Sequence, residues 1–234
     1  VAASLFGSAF AQDLGGRQIT VGSDTTYPPF ETVSEDGQIV GFDVDVVNAI
    51  CEKVNCHATF QTTAWDGIFP ALANGEFDMV ASGVTITAER AKVVEFTDPY
   101  FSVDQAIAVR VEDEGLTLDD FSKAGSTLLV GAQTGTTNAL TAEKLVGRDR
   151  LRLYDDFNAA VLGLINGDVS GVLIDDVTAD AFVQQYAGQL AVAVRNVQSG
   201  DELGFAVQPG DELVDALNAG IKAIKADGTM DALM

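Results

Sequence analysis

Residues 19–29 read ITVGSDTTYPP, and residues 128–138 read LLVGAQTGTTN. Each is a short apolar run, then a glycine, then a polar turn. An apolar run closed this way reads as a buried strand that ends at a loop. The segments after the two turns are also alike. After the first comes GFDVDVVNAICEKV (41–54), with Val44, Val47, Cys51 and Val54 on one helical face and Asp43 as its expected N-cap. Thr59–Thr62 alternates as a strand, Ile68–Ala73 reads as a short helix closed by Asn74-Gly75, and Asp78–Ala81 as a strand with a helix after Thr87. After the second turn come a helix with Leu140 and Leu145, a strand at Leu151–Tyr154, a helix from Phe157 to Ile165 and a strand from Gly171 to Ile174. A further helix runs to about Tyr186.

Strand–helix alternation in both halves implies an α/β fold with two parallel-rich sheets. VDQAIAVR (103–110) and LAVAVRNV (190–197) alternate strictly and lie between the halves. They read as two crossover segments forming a hinge, with Leu203–Val207 as a further strand. The stretch DELVDALNAGIKAIKADG, with Leu213, Leu217, Ile221 and Ile224 at helical spacing, would then return to the first half. The expected organisation is lobe 1 from 12–108 plus 196–234, and lobe 2 from 109–195. Ligands of open α/β sheets bind beyond the carboxyl ends of the strands. The turns after Gly22, Ala81, Gly131 and Ile174 occupy that edge, so four turns are expected around one cleft.

Composition narrows the ligand. The 13 Lys and Arg against 35 Asp and Glu leave a net charge of −22, which argues against nucleic acid and against an anionic membrane surface. No run of 18 apolar residues is present, so no transmembrane helix is expected. One His and two Cys leave little for a zinc site, and no metal or cofactor is expected. Residues 1–11 (VAASLFGSAFA) end in an Ala-x-Ala cleavage pattern before Gln12-Asp13 and read as a signal-peptide remnant. An exported chain meets an oxidising compartment. Cys51 and Cys56 are too far apart for a bridge within a regular helix, but if the helix ends at Val54-Asn55 the chain can curl back. Two buried thiols and one disulfide are equally compatible with that spacing.

Single residues point to chemistry. In SGVTITAER (82–90), Thr87 reads as an N-cap that sets Arg90 in the first turn of a helix, where a cation opposes the macrodipole. An anion would explain the placement, since the guanidinium fork holds a carboxylate by two charge-assisted bonds; pairing with Glu89 or Glu95 would explain it equally. Thr134-Gly135-Thr136-Thr137 opens a helix whose N–H groups suit the same carboxylate, or is an ordinary capped turn. Asp175 ends an apolar strand and wants a cationic partner such as an ammonium, unless it caps the next helix. Asp24 ends the first strand in the same way, with Tyr27 three residues on. Trp65, the only Trp, supplies a second face for a flat or cationic group, although each aromatic alone fits a core equally well. Together these groups describe a free α-amino acid with a polar or cationic side chain.

The chain resembles the periplasmic polar amino-acid-binding proteins of ABC importers (solute-binding protein family 3), those for lysine, arginine and ornithine, histidine and glutamine. The resemblance rests on VGSDTTYPPFE, GQIVGFDVDVVNAI, WDGIFPALANGEFDMVASGVTITAER, VEFTDPYF, VGAQTGTTN, LINGDVSGVLIDD, GFAVQPGDEL and IKADGT, in the family's order. It implies a two-lobed periplasmic-binding-protein fold of type II that closes on its ligand like a hinge. It implies Arg90 as carboxylate clamp and Asp175 as ammonium acceptor, with backbone contacts from Ser82 or Gly83 and a hydroxyl from Thr85. Thr136 and Thr137 match the second-lobe turn, Asp24, Tyr27 and Trp65 the side-chain pocket, and Gln133 a further polar contact. The family ordinarily runs on to a basic, aromatic ending, so a truncated terminus is expected after Leu233-Met234.

Apart from Arg90, and Lys225 in the C-terminal IKADGT, no Lys or Arg falls in these stretches, which disfavours an acidic ligand. Arginine, lysine or ornithine rank first, glutamine or histidine second. The expectation is a periplasmic monomer that hands a free amino acid to an ABC permease. The −22 charge helps draw a cation in, or reflects solubility in high salt. The rival readings are an enzyme, since the same fold hosts cyclohexadienyl-type dehydratases, and a sensor input domain.

Overall fold

The computed structural model describes residues 12–234; the expected signal remnant, 1–11, lies outside them. The chain begins with β1 (Arg17–Ser23), whose inner residues Ile19 and Val21 are fully buried. It does not pass directly into a helix. A small antiparallel sheet intervenes, built from β2 (Thr26–Tyr27), β3 (Glu31–Val33) and β4 (Ile39–Val40). Then come α1 (Phe42–Val54), β5 (Cys56–Thr62), α2 (Ile68–Ala73) and β6 (Met79–Val80). A single 3-10 turn (Arg90–Lys92) precedes β7 (Glu95–Phe96).

The second half opens on the long strand β8 (Phe101–Arg110) and the short α3 (Leu118–Ser122). Next are β9 (Val130–Gln133), α4 (Thr137–Val146), β10 (Leu151–Tyr154), α5 (Phe157–Asn166), β11 (Gly171–Asp175) and α6 (Asp176–Gln185). The chain returns along β12 (Leu190–Leu203) to β13 (Ala206–Val207), α7 (Leu213–Ala226) and α8 (Thr229–Leu233).

Two five-stranded sheets result, ordered β5-β1-β6-β13-β7 and β10-β9-β11-β8-β12. In each, the strand carrying the quoted motif runs parallel to both neighbours, β1 to β5 and β6, β9 to β10 and β11. Within each sheet the residues that follow the motif strand therefore lie at the carboxyl edge, where open α/β sheets bind ligand. The two crossovers are β8 and β12. They pair antiparallel along their length, with register shifts between Val192 and Asp201, and both belong to the second sheet. The expected separate strand over 203–207 is instead the end of β12 followed by β13. α7 packs back on α1: a side chain at Gly220 would meet the Ile50 Cγ2 at 2.6 Å, so the two helices touch nearly backbone to side chain.

The helix α1 settles two expectations. It ends at Val54, and Asn55 takes the left-handed conformation (φ 58°), which returns the chain to β5. That reversal brings the Cα atoms of Cys51 and Cys56 to 4.5 Å, and they are disulfide-bonded. Asp43 is not the N-cap. Gly41 precedes the helix, and Asp43 sits inside its first turn with its carboxyl fully buried.

Candidate functional site

The turn after β1 puts Asp24 at the cavity floor. Its Oδ1 accepts from the Thr26 N–H (3.2 Å) and hydroxyl (2.9 Å), and burial raises its pKa against those bonds. Tyr27 follows on β2. Its ring stacks on Phe30 (centroids 5.2 Å) and leans on Phe157 (5.5 Å), and its hydroxyl donates to Asp175 from the other half. The turn after β6 supplies Ser82 and Gly83. Gly83 adopts φ +50°, and a Cβ there would lie 2.4 Å from the Tyr27 ring, so only glycine fits.

Arg90 departs from its expected setting. Thr87 accepts the Arg90 N–H (3.1 Å), but the chain then makes one 3-10 turn and not a helix, because β7 begins at Glu95. No sizeable macrodipole therefore opposes the cation. Its Nη1 donates to the Thr85 carbonyl (2.8 Å), and its guanidinium lies 5.0 Å from the Trp65 ring centroid and 5.4 Å from that of Phe69. Glu89 pairs with Lys92 at 2.6 Å, and Arg90 makes no ion pair among the described residues. Burial pulls its pKa down to about 10, still fully protonated at neutral pH, with Asp175 and Asp201 opposing the shift. Trp65 thus serves Arg90 as much as it serves the cavity.

The second half answers with neutral donors and one acid. The Thr136 hydroxyl accepts from the Ala139 N–H (3.1 Å), capping α4, and donates to the Gln133 carbonyl (2.7 Å). The capping reading of this turn is thus correct, and it coexists with free first-turn N–H groups at the cavity wall. Thr137 sets its hydroxyl 3.4 Å from that of Thr85. Gln133 donates to Asp24 (2.6 Å) and to the Asp155 carbonyl (3.1 Å). Asp175 occupies the position before α6, yet its side chain does not cap that helix. It accepts instead from Tyr27 and from the Asn138 amide (2.7 Å). Burial lifts its pKa to about 6, against the pull of those two bonds.

All eleven residues singled out from sequence line one cavity: Asp24, Tyr27, Trp65, Ser82, Gly83, Thr85, Arg90, Gln133, Thr136, Thr137 and Asp175. Sequence reasoning missed Asn138 and Phe157, which line it too. Asn138 looks like any first-turn helical residue. Phe157 looks like the first apolar residue of α5. His57 is exposed on β5, away from the cavity. Among the described residues, no cluster of three or more His, Cys, Asp or Glu could hold a metal ion, and no helix is long and apolar enough to cross a membrane.

Two α/β halves joined by paired crossover strands, with a polar cavity closed by groups from both, define the class of two-lobed ligand-binding proteins. The particular family follows from comparison: residues 19–234 match the model of the bacterial extracellular solute-binding proteins, family 3, and the chain belongs to that family. It is similar to the ABC transporter arginine-binding protein 1 of Escherichia coli (strain K12), with 34% identity over 98% of this chain and 92% of that protein. It is similar to the arginine-binding periplasmic protein of Mannheimia haemolytica, with 32% identity over 96% of this chain and 91% of that one. Among solved structures, an ancestral arginine-binding protein bound to arginine superposes with a TM-score of 0.85 at 36% identity, covering 92% of this chain and 96% of that one. An ancestral arginine-binding protein bound to glutamine gives 0.86 at 35% identity, covering 92% of this chain and 95% of that one.

Proposed function

We propose that this chain captures a free L-amino acid with a cationic side chain, arginine first, and delivers it to the permease of an ABC importer. The carrying observation is the charge inventory of the cavity. Among the described residues that line it, one cation, Arg90, accompanies two carboxylates, Asp24 and Asp175. An amino acid with a cationic side chain brings one anion and two cations, the complement of that set. Arg90 clamps the α-carboxylate through its fork, with the α4 first turn and the Thr85 and Thr137 hydroxyls beside it. Asp175 accepts the α-ammonium, and Asp24 reads the side chain with Gln133 at its flank. Ser82 and Gly83 contribute backbone.

No bond is made or broken in this mechanism. Ligand groups bridge lobes 12–108 plus 196–234 and 109–195, and that differential contact shifts the population toward the closed form. Export to the periplasm and permease docking belong to the same reading, supported by the similarity to a periplasmic arginine-binding protein and an ABC transporter arginine-binding protein; a cleaved leader over 1–11 and a monomeric state complete the proposal.

A second ligand is favoured by one bond. Gln133 donates to Asp24 at 2.6 Å, so Asp24 has a partner even without a cationic ligand, and glutamine becomes admissible. The test is calorimetric titration of protein stripped of ligand by unfolding and refolding. Arginine is expected to bind more tightly than lysine, and both more tightly than glutamine and histidine, with every ligand recovered chemically unchanged. Absence of heat with arginine and lysine would overturn the cationic reading, and a converted ligand would overturn the non-enzymatic one.

A further inference from the structure

Beneath the cavity floor lie two carboxyl groups that the binding reading does not use. Glu31 on β3 and Asp43 in the first turn of α1 are both completely buried. Neither has a Lys or Arg partner among the described residues. Asp43 is well supplied with donors: the Gly83 N–H reaches Oδ2 at 2.9 Å and the Tyr100 hydroxyl reaches Oδ1 at 2.6 Å. Glu31 has one, the Ser82 hydroxyl to Oε1 at 2.8 Å, and its Oε2 has no partner. Two buried anions acting on each other, one of them with an empty oxygen, would be costly. A proton on that oxygen, donated to Asp43, satisfies both groups at once.

We propose that Glu31 is a neutral carboxylic acid at physiological pH, and that the Glu31–Asp43 pair positions the two ligand-facing turns of the first lobe. The wiring is direct. Ser82 donates to Glu31 and accepts from the Asp24 N–H at 2.9 Å, so one hydroxyl ties the β6 turn to the β1 turn. Asp43 holds Gly83 in its left-handed conformation under the Tyr27 ring. The Ser82 hydroxyl is thereby consumed inside the protein, and Ser82 meets ligand through its backbone. The groups facing the pair are Asp24, Tyr27 and Tyr100, none of them cationic, and burial with the neighbouring Asp43 charge drives the Glu31 pKa well above the usual carboxylate range. Asp43 itself is raised to about 6 by burial, restrained by its donors.

This inference rests on the amino-acid-binding reading only for its second half. The experiment is carboxyl-region infrared spectroscopy of the full chain at about pH 8, above the values of about 6 for Asp43 and Asp175, alongside titration with arginine. A protonated-carboxyl C=O band is expected in the wild type, retained in Asp175→Asn and lost in Glu31→Gln. Glu31→Gln keeps an acceptor for Ser82 and a donor for Asp43, so its affinity stays within about threefold of wild type. Glu31→Ala and Asp43→Asn weaken arginine roughly tenfold or more, because a buried donor loses its acceptor. A wild type without the band, or a band unmoved in Glu31→Gln, overturns the protonation. Glu31→Gln losing binding as Glu31→Ala does overturns the positioning role. A wild type that shows the band but binds no amino acid defeats the binding reading alone.

Discussion

The turns after β1 and β9 start from one sequence pattern and end in different chemistry. In the second half, strand passes to helix within four residues, and Thr136 caps α4 so that its first turn faces the cavity. In the first half a three-stranded excursion separates β1 from α1 by 18 residues, 24–41. The consequence is a division of labour. The short turn offers N–H groups and hydroxyls, which suit the carboxylate common to every amino acid. The long excursion carries Asp24 and Tyr27, which in the proposed binding mode read charge and shape. Repetition of a βα unit supplies two walls, and the proposed binding mode assigns selectivity to the insertion after one of them.

The comparison breaks first at Arg90, the one cation among the described residues that line the cavity. Arg90→Ala leaves the ligand carboxylate, and the Trp65 and Phe69 faces, without their partner. The expected loss is about 3–5 kcal/mol, that is roughly 100- to several-thousand-fold in Kd for every ligand. Retained micromolar binding would remove Arg90 from the clamp. Asp175→Asn is next, at about 2–3 kcal/mol, also regardless of ligand, because the ammonium is common to all of them. Asp24→Asn sharpens the contrast: arginine and lysine weaken roughly tenfold while glutamine stays within about threefold. Equal losses would show that the long excursion does not read charge.

Acid separates binding from folding. Asp175 and Asp43 both have pKa values raised to about 6 by burial. A raised carboxyl favours the protonated native state, so the ligand-free protein loses stability as pH climbs from about 4 through 6. Ammonium binding needs ionised Asp175, so affinity rises across the same window. Calorimetric melting from about pH 5 to 7.5 should therefore show a falling ligand-free Tm and a growing ligand increment. Asp175→Asn should flatten the second trend. An affinity that is constant through about pH 6 would remove Asp175 from the ammonium site.

Much of this cavity was legible because its residues sit at strand ends, where apolar runs stop and polar turns begin. The rest depended on distances no spacing encodes. The helix expected after Thr87 fails because only four residues separate Thr87-Ala88-Glu89-Arg90 from β7, room for a single 3-10 turn. The disulfide hinged on the left-handed Asn55, which sequence allows without requiring. Asp43 reads as a cap from its place before an apolar face, yet its carboxyl turns inward to Gly83 and Tyr100 from distant segments. Asn138 stays hidden for the same reason: its partner, Asp175, is 37 residues away.

The smallest effect is the most discriminating for the two-wall picture. Thr136 performs two tasks with one hydroxyl, accepting from Ala139 and donating to the Gln133 carbonyl. Thr136→Ser keeps both. Thr136→Ala loses the cap, at about 1 kcal/mol of stability. It also frees the Gln133 backbone, and with it the side chain that flanks Asp24. If the second wall reads only the carboxylate, Thr136→Ala weakens arginine and glutamine by the same factor, about two- to fivefold. If the fixed Gln133 backbone helps present Asp24, the two ligands separate, and selectivity spreads from the first wall into the second. Parallel titrations of the alanine and serine variants decide between these, since serine restores the cap and the carbonyl bond together.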